Sequence, residues 1–392
     1  ADAFKRGEKL ELPTCSGKLG DSLPKYDSKR LATGHAPYVA DLDVEGMLHG
    51  ALKFSDHPRA RVLSMDLSDA QTNPGVERIL TSEDIPGERH TGLIVQDWPL
   101  LIETGEETRY IGDVLAVVVA NTEQNAREAV KKIRVDYEVL IPVTDPKEAI
   151  ESSSPRVHAA GNLLSNTEIS RGDLKAAGEK SAYITSGTYT TQRIEHAFME
   201  MECCLARPWK QGVEVFSQSQ GVYEDRKSIS SLLGLPQEQV RVMLMPNGGG
   251  FGGKEDLSVQ GHASLAAYLM KKPVRIALTR EESICMHPKR HPLTMDIEMG
   301  CDSKGRFTFV KSDIIGDTGA YASVGMKVLE RAAGHATGAY HVDAVDVRSR
   351  AVYTNNIPCG AMRGFGVNQI NFAVESCVDE LCEMGGFDRW QI

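Results

Sequence analysis

Five glycines in six positions, Gly248, Gly249, Gly250, Gly252 and Gly253 around Phe251, constrain this chain most. Such a run can take main-chain paths with positive φ and lets a ligand or another segment touch the backbone. The apolar run before it, residues 240–245, reads as a buried strand. Residues 256–270 after it read as a helix. A glycine-dense turn from strand to helix leaves backbone N–H groups bare for a ligand.

The 392 residues suffice for two or three domains with a sizeable core. A formal net charge of -10 argues against a nucleic-acid groove, which needs clustered Lys and Arg. No apolar run reaches the roughly 18 residues of a membrane span, and residues 1–9 contain no signal-peptide core. The chain begins at Ala1 without an initiator methionine, as expected of a processed or excised polypeptide. Its eight cysteines form no Cys-x-x-Cys and match no zinc or iron–sulfur spacing. Scattered free thiols in a large acidic chain point to a reducing compartment, so a cytoplasmic location is expected.

Residues 1–26 are polar and aperiodic and read as a linker or arm. Residues 27–148 read as a small α/β unit. Its strands are expected at 47–55, 60–66, 113–120 and 133–139, with a helix at 123–132 capped by Asn121 or Thr122. The stretch 113–120 is almost wholly aliphatic, the pattern of a strand buried on both faces. A linker follows at 149–163, containing Ser152-Ser153-Ser154-Pro155. Residues 164–392 then form a larger mixed unit. Strands are expected there at 182–190, 213–219, 274–278, 307–315 and 345–353, and helices at 223–233, 256–270 and 369–385. The fold class is α+β.

The glycine turn admits several readings. Gly248-x-Gly250-x-x-Gly253 satisfies the bare dinucleotide pattern, but the acidic residue expected about 20 positions on is displaced. Gly248-x-x-x-x-Gly253-Lys254 approaches a phosphate-binding loop, but Glu255 stands where a Ser or Thr must ligate magnesium. A tight turn needing glycine for backbone reasons alone is the plainest alternative.

Residues 246–255, including Asn247-Gly248-Gly249-Gly250-Phe251-Gly252-Gly253-Lys254-Glu255, resemble the cofactor loop of the xanthine dehydrogenase and aldehyde oxidase family of molybdenum hydroxylases. The resemblance continues through Thr33-Gly34, Pro58-Arg59-Ala60-Arg61, Tyr110-Ile111-Gly112-Asp113 and Val135-Asp136-Tyr137-Glu138. It extends over Ser217-Gln218-Ser219-Gln220, Arg290-His291-Pro292, Gly316-Asp317-Thr318-Gly319-Ala320-Tyr321, Glu330-Arg331-Ala332 and Ala361-Met362-Arg363-Gly364-Phe365-Gly366. Each motif is weak alone; their order over most of residues 27–385 is specific. The texture is nearest to bacterial purine and nicotinate hydroxylases, selenium-dependent xanthine dehydrogenases included. The resemblance implies an α/β hammerhead domain over 27–148, then the first part of a molybdopterin-binding domain.

It also implies the chemistry: hydroxylation of an electron-poor carbon in a purine-like N-heterocycle such as xanthine or hypoxanthine, with water as oxygen source. Nicotinate or an aldehyde is the alternative substrate. The implied cofactor is molybdopterin carrying molybdenum, in a cytosine-dinucleotide form and with a terminal sulfido or selenido ligand. Iron–sulfur clusters and FAD are expected on other domains or subunits. Carbon monoxide chemistry is disfavoured, because no equivalent of that group's cysteine-bearing loop is present.

Individual residues carry both a physical and an inherited reading. Gln220 ends an expected strand, where an amide can donate to a metal oxo group without adding charge; alone it would be a turn residue. Gly250, Phe251 and Gly252 offer main-chain donors and, with Gln220 and Arg363, are implied to surround the molybdenum without ligating it. Glu255 is expected to open a helix, as an ordinary first-turn acid or, by resemblance, as the group that hydrogen-bonds the heterocycle. Arg331 can grip a developing oxyanion or pair with Glu330. Phe365, between two glycines, can stack on a flat ring or anchor the core; no match for a second stacking aromatic is present. His196, His287 and His291 are imaginable metal ligands, with structural hydrogen bonding favoured. The family's general-base glutamate lies beyond this stretch, so residues 1–392 alone are expected not to turn over. The expected partners are the rest of the molybdopterin domain and the redox modules, not nucleic acid or membrane. A bare scaffold or a nucleotide-binding module are the competing classes.

Overall fold

The computed structural model describes residues 16–23 and 25–392; most of the expected arm 1–26 lies outside them. Two sheets dominate. The seven-stranded sheet runs, in spatial order, Val240–Leu244, Gly212–Ser217, Cys203–Trp209, Val274–Ala277, Leu48–Phe54, Val114–Ala120 and Val76–Leu80. The five-stranded sheet runs Tyr183–Thr190, Leu293–Cys301, Phe307–Gly319, Ala344–Tyr353 and Leu163–Arg171. A small sheet of Glu107–Thr108, Ala60–Asp66 and Arg134–Val139 lies beside the first. The mixture is α+β, as the sequence indicates.

Strand Val114–Ala120 is buried at all seven positions. Its alternate residues face two cores. Val117 and Val119 join the main cluster with Leu48, Leu52, Ile276 and Leu265. Ala116 and Val118 pack against Ala129 and Ile133 beside helix Glu123–Val130. The Thr122 side chain caps that helix by accepting from Asn125 N. Arg127 on the same helix makes a bidentate pair with Glu282, tying the early segment to the late one. The sheet itself crosses this division: Leu48–Phe54 pairs in parallel with Val274–Ala277 and antiparallel with Val114–Ala120.

Two expectations need correction. The helix after the glycine turn spans Val259–Met270, not 256–270. Glu255 therefore sits in the loop four residues ahead of it and gains nothing from a helix dipole. The chain stays irregular there because its main-chain groups bond elsewhere: Lys254 O accepts from Gln220 N and Ser219 Oγ, and Ser258 N donates to Gln260 Oε1. Strand Val240–Leu244 is an edge strand with only Val240 buried, not an interior one. Its apolar residues pair on one side only.

Several elements were not anticipated. Cys203–Trp209 is an interior strand despite Pro208. The proline is tolerated because pairing with Val274–Ala277 ends at Ala206. The helix Gly325–Gly334, which carries Arg331, starts and ends in glycine and so lacked a helix signature.

Candidate cofactor and substrate site

The glycine turn crosses the end of the seven-stranded sheet. Gly249 (φ 107°), Phe251 (φ 54°) and Gly252 (φ 100°) all take positive φ. For phenylalanine that is a costly conformation, retained only where the surroundings impose it. The surroundings here are two other segments. Gln220 Oε1 accepts from Gly252 N at 2.9 Å and Lys254 N at 3.3 Å, and Gln220 N donates to Lys254 O at 2.8 Å. Two backbone donors on one atom fix the carboxamide's orientation, since only its oxygen accepts. Its NH₂ group is left with no partner among the described residues, on an exposed side chain. On the other flank Arg363 N donates to Phe251 O at 2.9 Å. Gln220, Phe251 and Arg363 thus form one hydrogen-bonded wall.

That wall is rich in donors. Among the described residues no acceptor meets the N–H groups of Gly249, Gly250 or Phe251. The exposed guanidinium of Arg363 has no ion pair among the described residues, and its carbonyl accepts from Arg290 Nη2 at 2.9 Å. Free amide donors with an unpaired cation suit an anionic, oxygen-rich group. Replacing Gln220 with alanine would remove the acceptor that serves these two N–H groups at a solvent-exposed side chain, costing roughly 0.5–1.5 kcal/mol. A thermal midpoint lowered by about one to two degrees, measured by calorimetry, is the expected result.

The support beneath the turn was not recognised from sequence. Lys254 is buried, with Nζ donating to Glu200 O at 2.8 Å and to Gln218 Oε1 over the Phe198 ring at 4.5 Å. Glu200 Oε2 accepts from Gly248 N at 2.6 Å. A lysine committed inward cannot reach a phosphate on the outer face, so the geometry does not support the phosphate-loop pattern. The signal available was Glu200 close behind Glu195-His196, but nothing in sequence links it to residue 248.

Below lies a second layer of charge. The structure brings Glu195, His196 and His287 together, with ligand atoms all within 4.8 Å. A cation is already present: Lys289 Nζ lies 2.6 Å from Glu195 Oε2. His287 Nδ1 faces Ser283 O at 2.6 Å, and His196 Nε2 faces Ala361 O at 2.8 Å, so both rings spend an N–H on a carbonyl. Burial pushes the Glu195 carboxyl up, but His287 and Lys289 outweigh it and hold it at about 2. Burial lowers His196 to about 4. These features fit a structural hydrogen-bonding layer that anchors Ala361 under the turn. His291 lies apart from it, facing Thr318 Oγ1 at 3.3 Å.

Two of the remaining candidates, Arg331 and Phe365, meet at the turn that follows Arg363. Phe365 (φ 48°) sits between Gly364 (φ 101°) and Gly366 (φ 92°). A Cβ on Gly366 would stand 2.3 Å from Val328 O, so this turn docks closely on helix Gly325–Gly334. The docking puts the Arg331 guanidinium over the Phe365 ring at 5.3 Å. Arg331 is exposed and makes no ion pair among the described residues. Glu330, the expected alternative partner, pairs with Lys327 at 2.7 Å. Glu255 is half-buried next to Gln220, with no side-chain hydrogen bond among the described residues, and burial raises its carboxyl. Its neighbour Asp256 reaches Ser323 Oγ at 2.7 Å, just before the Arg331 helix.

Asp225, on helix Val222–Leu233, is buried, and burial pushes its carboxyl to about 7 against the Ser217 and Ser219 hydroxyls. Its folded value lies above the ordinary 3.8, so the stability present below that value is lost as pH rises through about 7. Asp225→Asn removes this penalty. The variant is expected to gain on the natural protein between pH 5 and pH 8, by on the order of 3 kcal/mol at most, in urea unfolding at the two pH values.

A donor-lined wall held by three crossing segments, with an arginine over an aromatic ring nearby, suits an anionic, oxygen-rich group. Residues 157–392 match the family model of the molybdopterin cofactor-binding domain. Residues 33–141 match that of the aldehyde oxidase and xanthine dehydrogenase a/b hammerhead domain. The chain is 38% identical to the nicotinate dehydrogenase large molybdopterin subunit of Eubacterium barkeri, over 94% of this chain and 87% of that one. It is 36% identical to a probable xanthine dehydrogenase subunit of Bacillus subtilis (strain 168), over 93% of this chain and 49% of that one. The aldehyde oxidoreductase of Desulfovibrio gigas superposes with a TM-score of 0.94 at 27% identity, over 99% of this chain and 45% of that one. The chain belongs to the xanthine dehydrogenase and aldehyde oxidase family of molybdenum-dependent oxidoreductases. It spans about half the length of the Bacillus and Desulfovibrio relatives. Among the described residues no helix is long and apolar enough to cross a membrane.

Proposed function

We propose that this chain forms the cofactor- and substrate-contacting wall of a hydroxylase acting on a purine-like N-heterocycle. The observation that carries the reading is the bonded junction of Gln220, Phe251 and Arg363 beside the unpaired Arg331 on Phe365. When bound, molybdopterin would supply the oxidising metal and the water-derived oxygen. The chain's own part is binding and charge. The Gln220 NH₂, the Gly250 and Phe251 N–H groups and the approach of Gly252 would hold the cofactor's oxygens and phosphate. Phe365 would stack on the heterocycle, Arg331 would neutralise negative charge building on its oxygen, and Glu255 would bond a ring nitrogen. The division is read as hammerhead at 27–148 and molybdopterin domain at 164–392. A cytosine dinucleotide, a sulfido or selenido ligand, iron–sulfur and flavin partners, and a cytoplasmic location complete the proposal.

Nicotinate is the second reading, favoured by the 38% identity to a nicotinate dehydrogenase subunit. The enzyme carrying this chain should contain molybdenum and pterin in equal amounts. It should place oxygen from labelled water into hydroxylated xanthine or hypoxanthine. Turnover of nicotinate alone selects the second reading, and absence of molybdenum overturns both.

A further inference from the structure

Beside Glu255 lies a cavity of ≈ 10 Å³, room for about one water molecule. Asp225, Glu255 and Asp256 all line it, with Thr91, Trp98 and Ser228. No lysine or arginine does. Asp256 is 6% exposed. Its Oδ2 is held by Ser323 Oγ and wedged against Gly360, where a Cβ would stand 2.9 Å away. Its Oδ1 has no hydrogen-bond partner among the described residues, and neither has the Glu255 carboxyl. Nothing that the cofactor wall requires explains this arrangement.

Two carboxylates so placed cannot both stay ionised cheaply, because each like charge raises the cost of the other. The charged and titratable groups facing Asp256 are Glu255, Asp97 and Tyr110, with Asp225 and Glu224 around the cavity. None is a cation. Burial first, then Glu255 and Asp97, pushes Asp256 up to about 7.

We propose that Asp256 and Glu255 act as one carboxyl pair sharing a single proton at neutral pH, with Asp256 the positioning residue that decides whether Glu255 meets the heterocycle as acceptor or donor. The inference rests on Glu255 facing the substrate. A ring N–H would find Glu255 ionised, with the proton on Asp256. A bare ring nitrogen would find the proton moved across the cavity to Glu255. No bond other than O–H changes, and nothing is oxidised. The site would then take N-heterocycles of both kinds, which bears on the purine and nicotinate alternatives.

The test is infrared difference spectroscopy of the assembled enzyme across pH, with Asp256→Asn and Glu255→Gln variants. A protonated-carboxyl band sensitive to D₂O is expected at neutral pH, with one component lost in D256N. In E255Q the midpoint of that component should fall by about one pH unit. Catalytically, D256N should move the alkaline limb of kcat/KM to lower pH by at least about one unit for substrates that accept a hydrogen bond. An unmoved limb with no band component lost overturns the proposal. If D256N does not fold, an unchanged midpoint in E255Q overturns it instead. The infrared outcome stands whatever the substrate, so a wrong assignment of the reaction would show separately, as a natural enzyme that oxidises no heterocycle.

Discussion

Gly252→Ala is expected to lower bound molybdenum at least about tenfold, a loss equal to roughly 1.4 kcal/mol or more. Two costs act together at this position. The residue sits at φ 100°, where an alanine is strained by on the order of 1–3 kcal/mol. Its Cβ would also stand 2.7 Å from the Ala361 carbonyl oxygen and 2.8 Å from the carbonyl carbon. That carbonyl cannot retreat freely, because it is held by His196 Nε2 at 2.8 Å. Relief must come from the glycine turn, which would draw Gly252 N off Gln220 and Phe251 O off Arg363. The wall would open at its junction. Metal analysis of the purified enzyme reads the outcome. Gly334→Ala is the control, since no atom lies within 4 Å of its added carbon and its φ is ordinary. Equal metal content in G252A and the natural enzyme would mean that the junction does not hold the cofactor.

Arg331→Met should reduce kcat/KM by about 10²–10³, the usual loss when one donor to a developing oxyanion is removed. Metal content and thermal midpoint should stay near those of the natural enzyme. The separation follows from the structure: among the described residues, the exposed Arg331 side chain makes no ion pair and meets the Phe365 ring. A structural arginine would lose stability with its partners; this one has no charged partner there to strand. Arg331→Lys should recover only part of the loss, because an ammonium cannot present a planar fork to the substrate oxygen. A fall in stability matching the fall in activity would reassign Arg331 to packing.

Much of the architecture was legible because period and composition are local. A run aliphatic in all but Asp113 is costly to solvate, so 113–120 reads as an interior strand, and Val114–Ala120 is one. Asn121 or Thr122 ahead of an amphipathic stretch marked the start of helix Glu123–Val130, and Thr122 is the residue that caps it. The glycine turn and the Arg363–Gly366 turn were visible because glycine is the residue that most readily supports such backbone paths. Glu255 was misplaced onto a helix, since the apolar pattern from 257 on does not say where the first turn begins. The bonds of Lys254 O to Gln220 N and Ser219 Oγ, and of Ser258 N to Gln260 Oε1, decide that instead. Glu200 and Asp256 stayed invisible because their partners, Gly248 and Ser323, lie 48 and 67 residues away.

The order of residues alone settled several of the strands, where the glycine turns lie and which family the motifs belong to, since these depend on near neighbours and on pattern. Only the tertiary structure decided that Lys254 turns inward, that Arg331 lies on Phe365 rather than pairing with Glu330, and that Asp256 shares a cavity with Glu255. Those outcomes depend on long-range burial. A charged side chain takes whichever partner the packed chain offers, and packing from distant segments is not written in local sequence.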